Sequence, residues 1–312
     1  MSSSSPPTGV QAGELGFPGA RAPDRRRSVA AWGLRIAVYE WGDARAPALL
    51  LAHGGFDFAR TFDGFAPLLA DAGWRVVSWD QRGHGDSDHA ALYNWDADAR
   101  DALAVLDSTT REAVPFVGHS KGGAILIHLA QACPHRVTQL VSIDGLPSRR
   151  PAPDIADHER TRLLADEVGA WLAHRRRAAS LVRKPGSPED LARRRGRMNP
   201  RLSQPWLLYL VSVGARQDAD GWRWKIDPAL RPGGFGPWRP DWTLGRLPGL
   251  SVPLLGLLAT VSEPMGWDTT PEILRPFLPP EARIVSFPQT GHFIHIERPR
   301  EVAELVLEFL TR

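Results

Sequence analysis

The chain has 312 residues, of which 43% are hydrophobic, so it is long enough for one large domain or for a core domain with an insertion. The formal net charge of +3 comes from scattered arginines, and runs such as 193–195 are interpreted as solvated helix faces rather than a nucleic-acid surface. The single cysteine, Cys133, excludes an intrachain disulfide and a thiolate metal cluster, and no stretch approaches the roughly 18 apolar residues of a membrane span.

The N-terminal residues 1–24 are predicted to form a flexible tail, because they are rich in serine, proline and glycine. They contain neither the positively charged start nor the apolar stretch of a secretory signal, so a cytoplasmic location is expected. After the tail, the alternating segment 28–42 predicts an antiparallel hairpin that turns at Gly33.

Short apolar runs then alternate with amphipathic helical patterns. This alternation predicts βαβ units, in which helices cover both faces of a mostly parallel sheet, and therefore an α/β fold. The expected strands are 48–54, 74–83, 113–120, 137–145, 252–260 and 282–288. The expected helices are 58–73, 94–108, 122–134, 269–279 and a C-terminal helix with an apolar stripe at 302, 305, 306 and 309.

The alternation stops after Gly145 and resumes at residue 252. The sequence between them predicts helical segments separated by proline and glycine, so residues 147–247 are interpreted as a helical cap. The cap interrupts an α/β core that consists of residues 25–146 and 248–312. A cap of this kind lies over the carboxyl ends of the strands, where α/β sheets bind ligands.

The segment VPFVGHSKGG, residues 114–123, carries the strongest catalytic signature. Its apolar strand ends in Gly118-x-Ser120-x-Gly122, the pattern of a nucleophile elbow between a buried strand and a helix. The sharp turn strains the serine backbone, and glycines avoid clashes at the flanking positions. Ser120 is therefore the candidate nucleophile, and the backbone N–H of Lys121 is a candidate donor to an oxyanion.

In this order and spacing, the motifs of the chain resemble those of the α/β-hydrolases. The resemblance covers most of residues 30–147 and 248–312. LLLAHGG is similar to the family's His-Gly oxyanion strand, WDQRGHGDSD to the loop after its next strand, and TGHFIHIERP to its catalytic-histidine loop. The resemblance implies an α/β-hydrolase fold and a serine hydrolase with a Ser-His-acid triad.

Two further roles follow from this resemblance. A serine hydroxyl needs an adjacent base, and His292 is implied as that base, with His295 as the alternative. The oxyanion needs two N–H donors. Lys121 is expected to supply one of them, and Gly55 the other, with Phe56 as the alternative to Gly55.

The acid of the triad is not where most of the family carries it. In place of the usual Gly-x-x-Asp turn the sequence reads LLATVSEPMGWDTT, which offers only Glu263 or Asp268. Haloalkane dehalogenases and fungal zearalenone lactonases, which this region resembles, instead carry the acid after the strand that follows the nucleophile helix. Asp144 stands at that place, 24 positions after Ser120, and is the predicted acid; Glu263 and Asp268 are the alternatives.

The serine at position 120 limits the reactions that are open to the chain. It excludes the alkyl-aspartate chemistry of dehalogenases and epoxide hydrolases, and it leaves acyl transfer to water. The predicted activity is hydrolysis of a carboxylic ester or lactone without metal or organic cofactor, since the histidines lack metal-ligand spacing. A general carboxylesterase, a C–C bond hydrolase, a cofactor-free haloperoxidase and a non-turnover ligand-binding protein on the same scaffold remain as alternatives.

Large aromatic side chains are concentrated in the cap, since seven of the twelve tryptophans lie between Trp171 and Trp267. They predict an apolar pocket for a bulky or aromatic substrate, with Phe56, Trp206, Trp224 and Trp267 as its walls. The resemblance to zearalenone lactonases makes a large aromatic lactone the leading candidate. The expected partner is therefore a small ester or lactone rather than nucleic acid or membrane, and a homodimer is compatible with the sequence.

Overall fold

The computed structural model describes residues 15–147, 159–178, 180–230 and 240–311. Its strands are β1 (Arg25–Ala31), β2 (Leu34–Trp41), β3 (Ala48–Ala52), β4 (Arg75–Trp79), β5 (Val114–His119), β6 (Val137–Ile143), β7 (Ala215–Asp218), β8 (Gly221–Trp224), β9 (Leu254–Ala259) and β10 (Arg283–Phe287). Its helices are α1 (Ala66–Asp71), α2 (Trp95–Thr109), α3 (Lys121–Ala132), α4 (Arg160–Ala178), α5 (Pro188–Met198), α6 (Gln204–Gly214), α7 (Pro240–Arg246), α8 (Pro271–Leu274), α9 (Ile294–Glu297) and α10 (Pro299–Leu310).

A single eight-stranded sheet forms the centre of the described structure, in the order β1-β2-β4-β3-β5-β6-β9-β10. β2 is antiparallel to both of its neighbours, and all other neighbouring pairs are parallel. The predicted mostly parallel sheet is therefore confirmed, and the predicted hairpin at Gly33 is present as β1 and β2.

Helices cover both faces of this sheet, which explains why its strands are short, continuous apolar runs. Every residue of β5 is buried. Its neighbouring side chains Phe116 and Val117 belong to different hydrophobic clusters, as expected when successive side chains point to opposite faces. The first cluster includes α2 and α3, and the second includes α1 and α10. The end of β5 is thereby held rigidly between two packed layers.

The segment between β6 and β9 differs from the predicted cap in one respect. It contributes α4 to α7, but β7 and β8 also form an antiparallel hairpin, so a purely helical cap is wrong. Aromatic residues such as Trp222 and Trp224 favour extended backbone, which accounts for the strand. Just after this hairpin, Ile226 forms an isolated antiparallel bridge with His84 of the core.

Two predicted helices are shorter than expected. The segment 58–73 forms only a 3-10 turn over residues 59–62 and then α1, with Gly64 between them. The segment 269–279 forms α8 and a 3-10 turn, because Pro276 cannot continue a regular helix.

The N-terminal segment contacts the domain earlier than the sequence predicts. The ring of Phe17 packs edge-on against Trp206 with 4.7 Å between the ring centroids. The Arg21 carbonyl accepts a hydrogen bond from Trp41 Nε1 at 3.0 Å, and its guanidinium pairs with Asp71. The prediction that residues 1–24 form a flexible tail is therefore wrong for residues 15–24. Residues 1–14 lie outside the described residues. Of the helices in the described ranges, none is long and apolar enough to cross a membrane.

Candidate active site

Ser120 lies at the sharp turn between β5 and α3. Its backbone has φ +52° and ψ −123°, and its N–H donates to the Ile143 carbonyl at 2.9 Å. Glycines are required on either side of it. A Cβ on Gly118 would lie 2.6 Å from the backbone of Gly122, and a Cβ on Gly122 would lie 2.6 Å from the His53 carbonyl oxygen. The chain is therefore held in the strained geometry that the elbow pattern predicts.

His292 and Asp144 are joined by a short hydrogen bond in the buried interior. His292 Nδ1 lies 2.6 Å from Asp144 Oδ2, and the two residues are 1% and 3% exposed. The other carboxylate oxygen of Asp144 accepts the Ala259 N–H at 3.1 Å. A carboxylate oxygen accepts, so this contact fits the tautomer in which Nδ1 carries the proton and Nε2 is left free to act as a base.

Glu263 contacts the backbone of His292 and not its ring. Its Oε2 accepts the His292 N–H at 2.6 Å, and burial raises the pKa of this carboxyl group. A Cβ on Gly291 would lie 2.7 Å from the Glu263 carboxyl carbon, so the loop passes directly over the carboxylate. The geometry therefore does not support Glu263 as the triad acid. Asp268, the other alternative, has φ +52° in the loop after β9, and its carboxylate makes no hydrogen bond to His292 within the described residues.

The loop after β3 crosses over the elbow and brings the two oxyanion candidates together. A Cβ on Gly54 would lie 3.2 Å from Ser120 Cβ, and a Cβ on Gly55 would lie 3.6 Å from the Lys121 side chain. Lys121 is the first residue of α3, where a backbone N–H has no acceptor within the helix. Its ammonium pairs with Asp98 at 2.7 Å, so it is the backbone that is available for the oxyanion.

Phe56, the alternative donor, has its N–H already engaged. That N–H donates to His84 Nε2 at 3.1 Å, and the residue has φ +59°. Gly55 is therefore the better candidate for the second N–H of the oxyanion hole. Burial keeps the pKa of His84 well below its usual range, so the ring is a neutral acceptor.

Three further buried histidines surround the site as neutral rings. His53 Nε2 accepts the Gln81 N–H at 2.9 Å and fixes the oxyanion loop, and burial lowers its pKa to about 3. His119 Nε2 lies 3.0 Å from the carbonyl oxygen of His292. His295 packs against His119 with 4.5 Å between ring centroids, and burial lowers its pKa to about 3. Among the residues that the structure describes, His295, the alternative base, has no carboxylate partner like that of His292.

The predicted pocket walls are only partly brought together. Phe56 and Trp224 both pack against the apolar cluster that contains Ile226. Trp206 instead stacks on Tyr209 with 5.1 Å between centroids, and it lines a cavity of about 350 Å³ that Ser120 and His292 do not line. Trp267 lies in the loop after β9. The contacts of Trp206 are those of a packing residue, so we do not keep Trp206 as a wall of the substrate pocket.

Arg195, in α5, reaches the site and was not among the predicted residues. Its Nη1 donates to the Phe56 carbonyl at 3.0 Å, and its Nη2 lies 3.1 Å from Asp57 Oδ1. Arg195 falls four residues after the apolar Leu191, which places it on the inward face of α5, but Arg194 falls three residues after Leu191, so spacing alone does not single out Arg195. The interpretation of the run 193–195 as a wholly solvated face is wrong at this position.

Comparisons with known proteins agree with this architecture. A family model described as the alpha/beta hydrolase fold matches residues 47–299. The chain is 28% identical over 291 residues to the sn-1-specific diacylglycerol lipase ABHD11 of Mus musculus, which covers 86% of this chain and 83% of that protein. It is 28% identical over 309 residues to Epoxide hydrolase A of Mycobacterium tuberculosis, with 89% and 95% covered.

A solved structure shares the same fold. The thioesterase domain from the curacin biosynthetic pathway superposes with a TM-score of 0.75 at 21% identity, covering 91% of this chain and 99% of that one. Together with the sheet order and the elbow, the family match over most of the chain confirms the predicted fold class: the chain belongs to the α/β-hydrolase family.

Proposed function

We propose that this hydrolase cleaves a carboxylic ester or lactone of a bulky, largely apolar compound through a triad of Ser120, His292 and Asp144. The observation that carries the proposal is the 2.6 Å hydrogen bond between His292 Nδ1 and Asp144 Oδ2. It occurs in a chain whose Ser120 has the strained backbone of a nucleophile elbow, at the turn between β5 and α3. A histidine oriented by a buried carboxylate is the base that a serine nucleophile requires.

The proposed reaction has two acyl-transfer steps. His292 Nε2 takes the proton of Ser120 Oγ as that oxygen attacks the substrate carbonyl carbon. The N–H groups of Gly55 and Lys121 donate to the oxyanion, and the tetrahedral intermediate collapses as His292 protonates the leaving alcohol. Water, deprotonated by His292, then attacks the acyl-enzyme and releases the acid. Asp144 stays ionised throughout and stabilises the imidazolium. With a lactone the alcohol remains tethered to the acyl group.

The choice of an ester substrate draws on the nucleophile and on the relatives. A serine cannot form the alkyl-aspartate ester by which dehalogenases and epoxide hydrolases of this fold act, so likeness to an epoxide hydrolase does not carry its reaction to this chain. The relative named a diacylglycerol lipase agrees with ester chemistry. The aromatic macrolactone, the small-molecule partner and the cytoplasmic location expected from the sequence stay predictions.

Labelling with a fluorophosphonate probe tests the triad. We expect one probe per chain on Ser120, located by mass spectrometry, and loss of labelling in Ser120→Ala and in His292→Ala. Ser180→Ala, which removes an exposed serine, is the matched control and should label like the wild type. A probe bound elsewhere, or a folded wild type that never labels, would contradict the proposal.

Replacement of a pocket wall tests the substrate class. Trp224→Ala should raise KM for a resorcylic macrolactone or a naphthyl ester by about tenfold or more, because a buried aromatic contact contributes about 1.5–3 kcal/mol. KM for p-nitrophenyl acetate should change by less than about twofold. Trp32→Ala, at a hairpin tip where the side chain is 67% exposed, is the control. Preference for short linear esters, unaffected by Trp224→Ala, would leave a general carboxylesterase.

A further inference from the structure

We propose that Arg195 is a positioning residue through which the cap holds the oxyanion loop, residues 53–57, in its catalytic conformation. The catalytic consequence rests on the proposed function, whereas the contact itself is independent of any reaction. The side chain extends from α5 of the cap and hydrogen-bonds the main chain of the loop one residue after Gly55.

Phe56 is the strained point of this loop. Its φ of +59° lies in the left-handed region, which a bulky residue adopts only when its surroundings impose it. Two hydrogen bonds hold the residue from opposite ends. His84 of the core accepts its N–H at 3.1 Å, and Arg195 of the cap donates to its carbonyl at 3.0 Å. Loss of either bond removes part of what imposes the conformation.

The second nitrogen of the guanidinium anchors the arginine itself. Nη2 lies 3.1 Å from Asp57 Oδ1, and Asp57 is 1% exposed, so the two side chains form a buried ion contact. Burial raises the pKa of the Asp57 carboxyl group, and the nearby guanidinium opposes this rise. The guanidinium also lies 5.6 Å from the ring centroid of Phe293 and 5.9 Å from that of Trp224. One side chain thus contacts the oxyanion loop, the residue next to His292 and the cap hairpin.

The planar fork explains why an arginine is needed. One guanidinium nitrogen donates to the Phe56 carbonyl while another lies within ion-pair distance of the Asp57 carboxylate. A lysine ammonium is a single point that keeps the charge but cannot reach both groups at once. Rotation of the Phe56 backbone would shift Gly55 and its N–H. We therefore expect Arg195 to act on the transition state and not on ground-state binding of the substrate.

A double-mutant cycle tests the positioning role. Arg195→Met should lower kcat for p-nitrophenyl butyrate about 100-fold and Arg195→Lys about tenfold, with KM changed by less than about threefold. Arg193→Met, in the same helix but exposed, is the matched control. In a Phe56→Gly background the loss from Arg195→Met should shrink to less than about tenfold, because glycine adopts a positive φ without strain. An equal loss in both backgrounds, or a raised KM with unchanged kcat, would overturn the proposal.

Hydrogen exchange supplies a readout that needs no turnover. Peptides covering residues 53–58 should exchange faster in Arg195→Met and in Arg195→Lys than in the wild type, and Arg193→Met should exchange like the wild type. Unchanged exchange in both Arg195 variants would show that the loop does not depend on this residue. If the Arg195 variants exchanged faster while the wild type showed no esterase activity and no probe labelling, the contact would be supported and the proposed function would be refuted.

Discussion

An Asp144→Asn variant is expected to lose about four orders of magnitude in kcat, with little change in stability. The amide can donate to His292 Nδ1, which moves the imidazole proton to Nε2. Nε2 can then no longer accept the proton of Ser120. The imidazolium also loses its compensating charge. The amide oxygen can still accept the Ala259 N–H that Asp144 Oδ1 accepts at 3.1 Å, so the fold should remain intact. Steady-state kinetics on p-nitrophenyl butyrate, with a thermal melt on the same samples, measure both effects.

Glu263→Gln is the matched control for this experiment. A glutamine oxygen can replace Oε2 as acceptor of the His292 N–H, so kcat should fall by less than about tenfold. The same reasoning predicts that Glu263→Leu, which removes the acceptor, has the larger effect of the two Glu263 variants. If Glu263→Gln abolished activity and Asp144→Asn kept it, the triad assignment would be wrong.

His295→Leu is expected to stabilise the protein, and more so in acid. Both ring nitrogens of His295 are buried without a hydrogen-bond partner in the described structure, and an unpaired buried polar group costs about 1–3 kcal/mol. Leucine is of similar size and suits the surrounding rings of Phe62, Phe65 and Phe293. At neutral pH the free energy of unfolding should therefore rise by about 1–3 kcal/mol.

The pH dependence of this difference follows from the lowered pKa of His295. Burial lowers that pKa from 6.5 to about 3, so between these values the unfolded chain binds a proton that the folded chain does not. Stability from the neutral ring is present above pH 6.5 and is lost as the pH falls toward 3. The advantage of His295→Leu over the wild type should grow by about 1.4 kcal/mol per pH unit in that window.

Urea unfolding at pH 7.5, 6.0 and 4.5 measures this growth. His135→Leu, at an exposed position, is the control. Buried carboxylates such as Asp80, whose pKa burial raises to about 6, change the stability of both chains equally and cancel in the comparison. A constant difference between His295→Leu and the wild type across the three pH values would contradict a neutral buried ring.

The features that sequence predicted correctly are those whose cause is local. β5 is buried on both faces, so its whole length is apolar, and its place in a parallel sheet follows from neighbouring residues alone. The elbow is equally local, because Gly118 and Gly122 are required by contacts within one turn. Asp144 was predicted from the resemblance to hydrolases that carry the acid after this strand, and β6 does pair in parallel with β5, so both strands end at the same edge of the sheet. Its role as the triad acid stays a prediction.

The features that sequence missed depend on distant parts of the chain. A carboxylate near a catalytic histidine can bond the ring or the backbone, and only the path of the 260–268 loop directs Glu263 to the backbone N–H. Arg195 stands within three arginines that look alike in sequence, and only the inward face of α5 distinguishes it. The pairing of β7 with β8 is likewise a matter of tertiary context, since four-residue strands carry too few positions for a period to show.

The place of the cap in the chain has a consequence for biosynthesis. β6 pairs with β9, whose first residue follows the end of β6 by about 110 residues. At roughly 5–20 residues per second, a ribosome needs about 5 to 20 seconds to translate that interval. During this time the apolar strand Val137–Ile143 has no partner on one side, and an open edge of this kind is a template for aggregation. The length of the cap therefore sets how long the nascent chain must be shielded before its sheet can close.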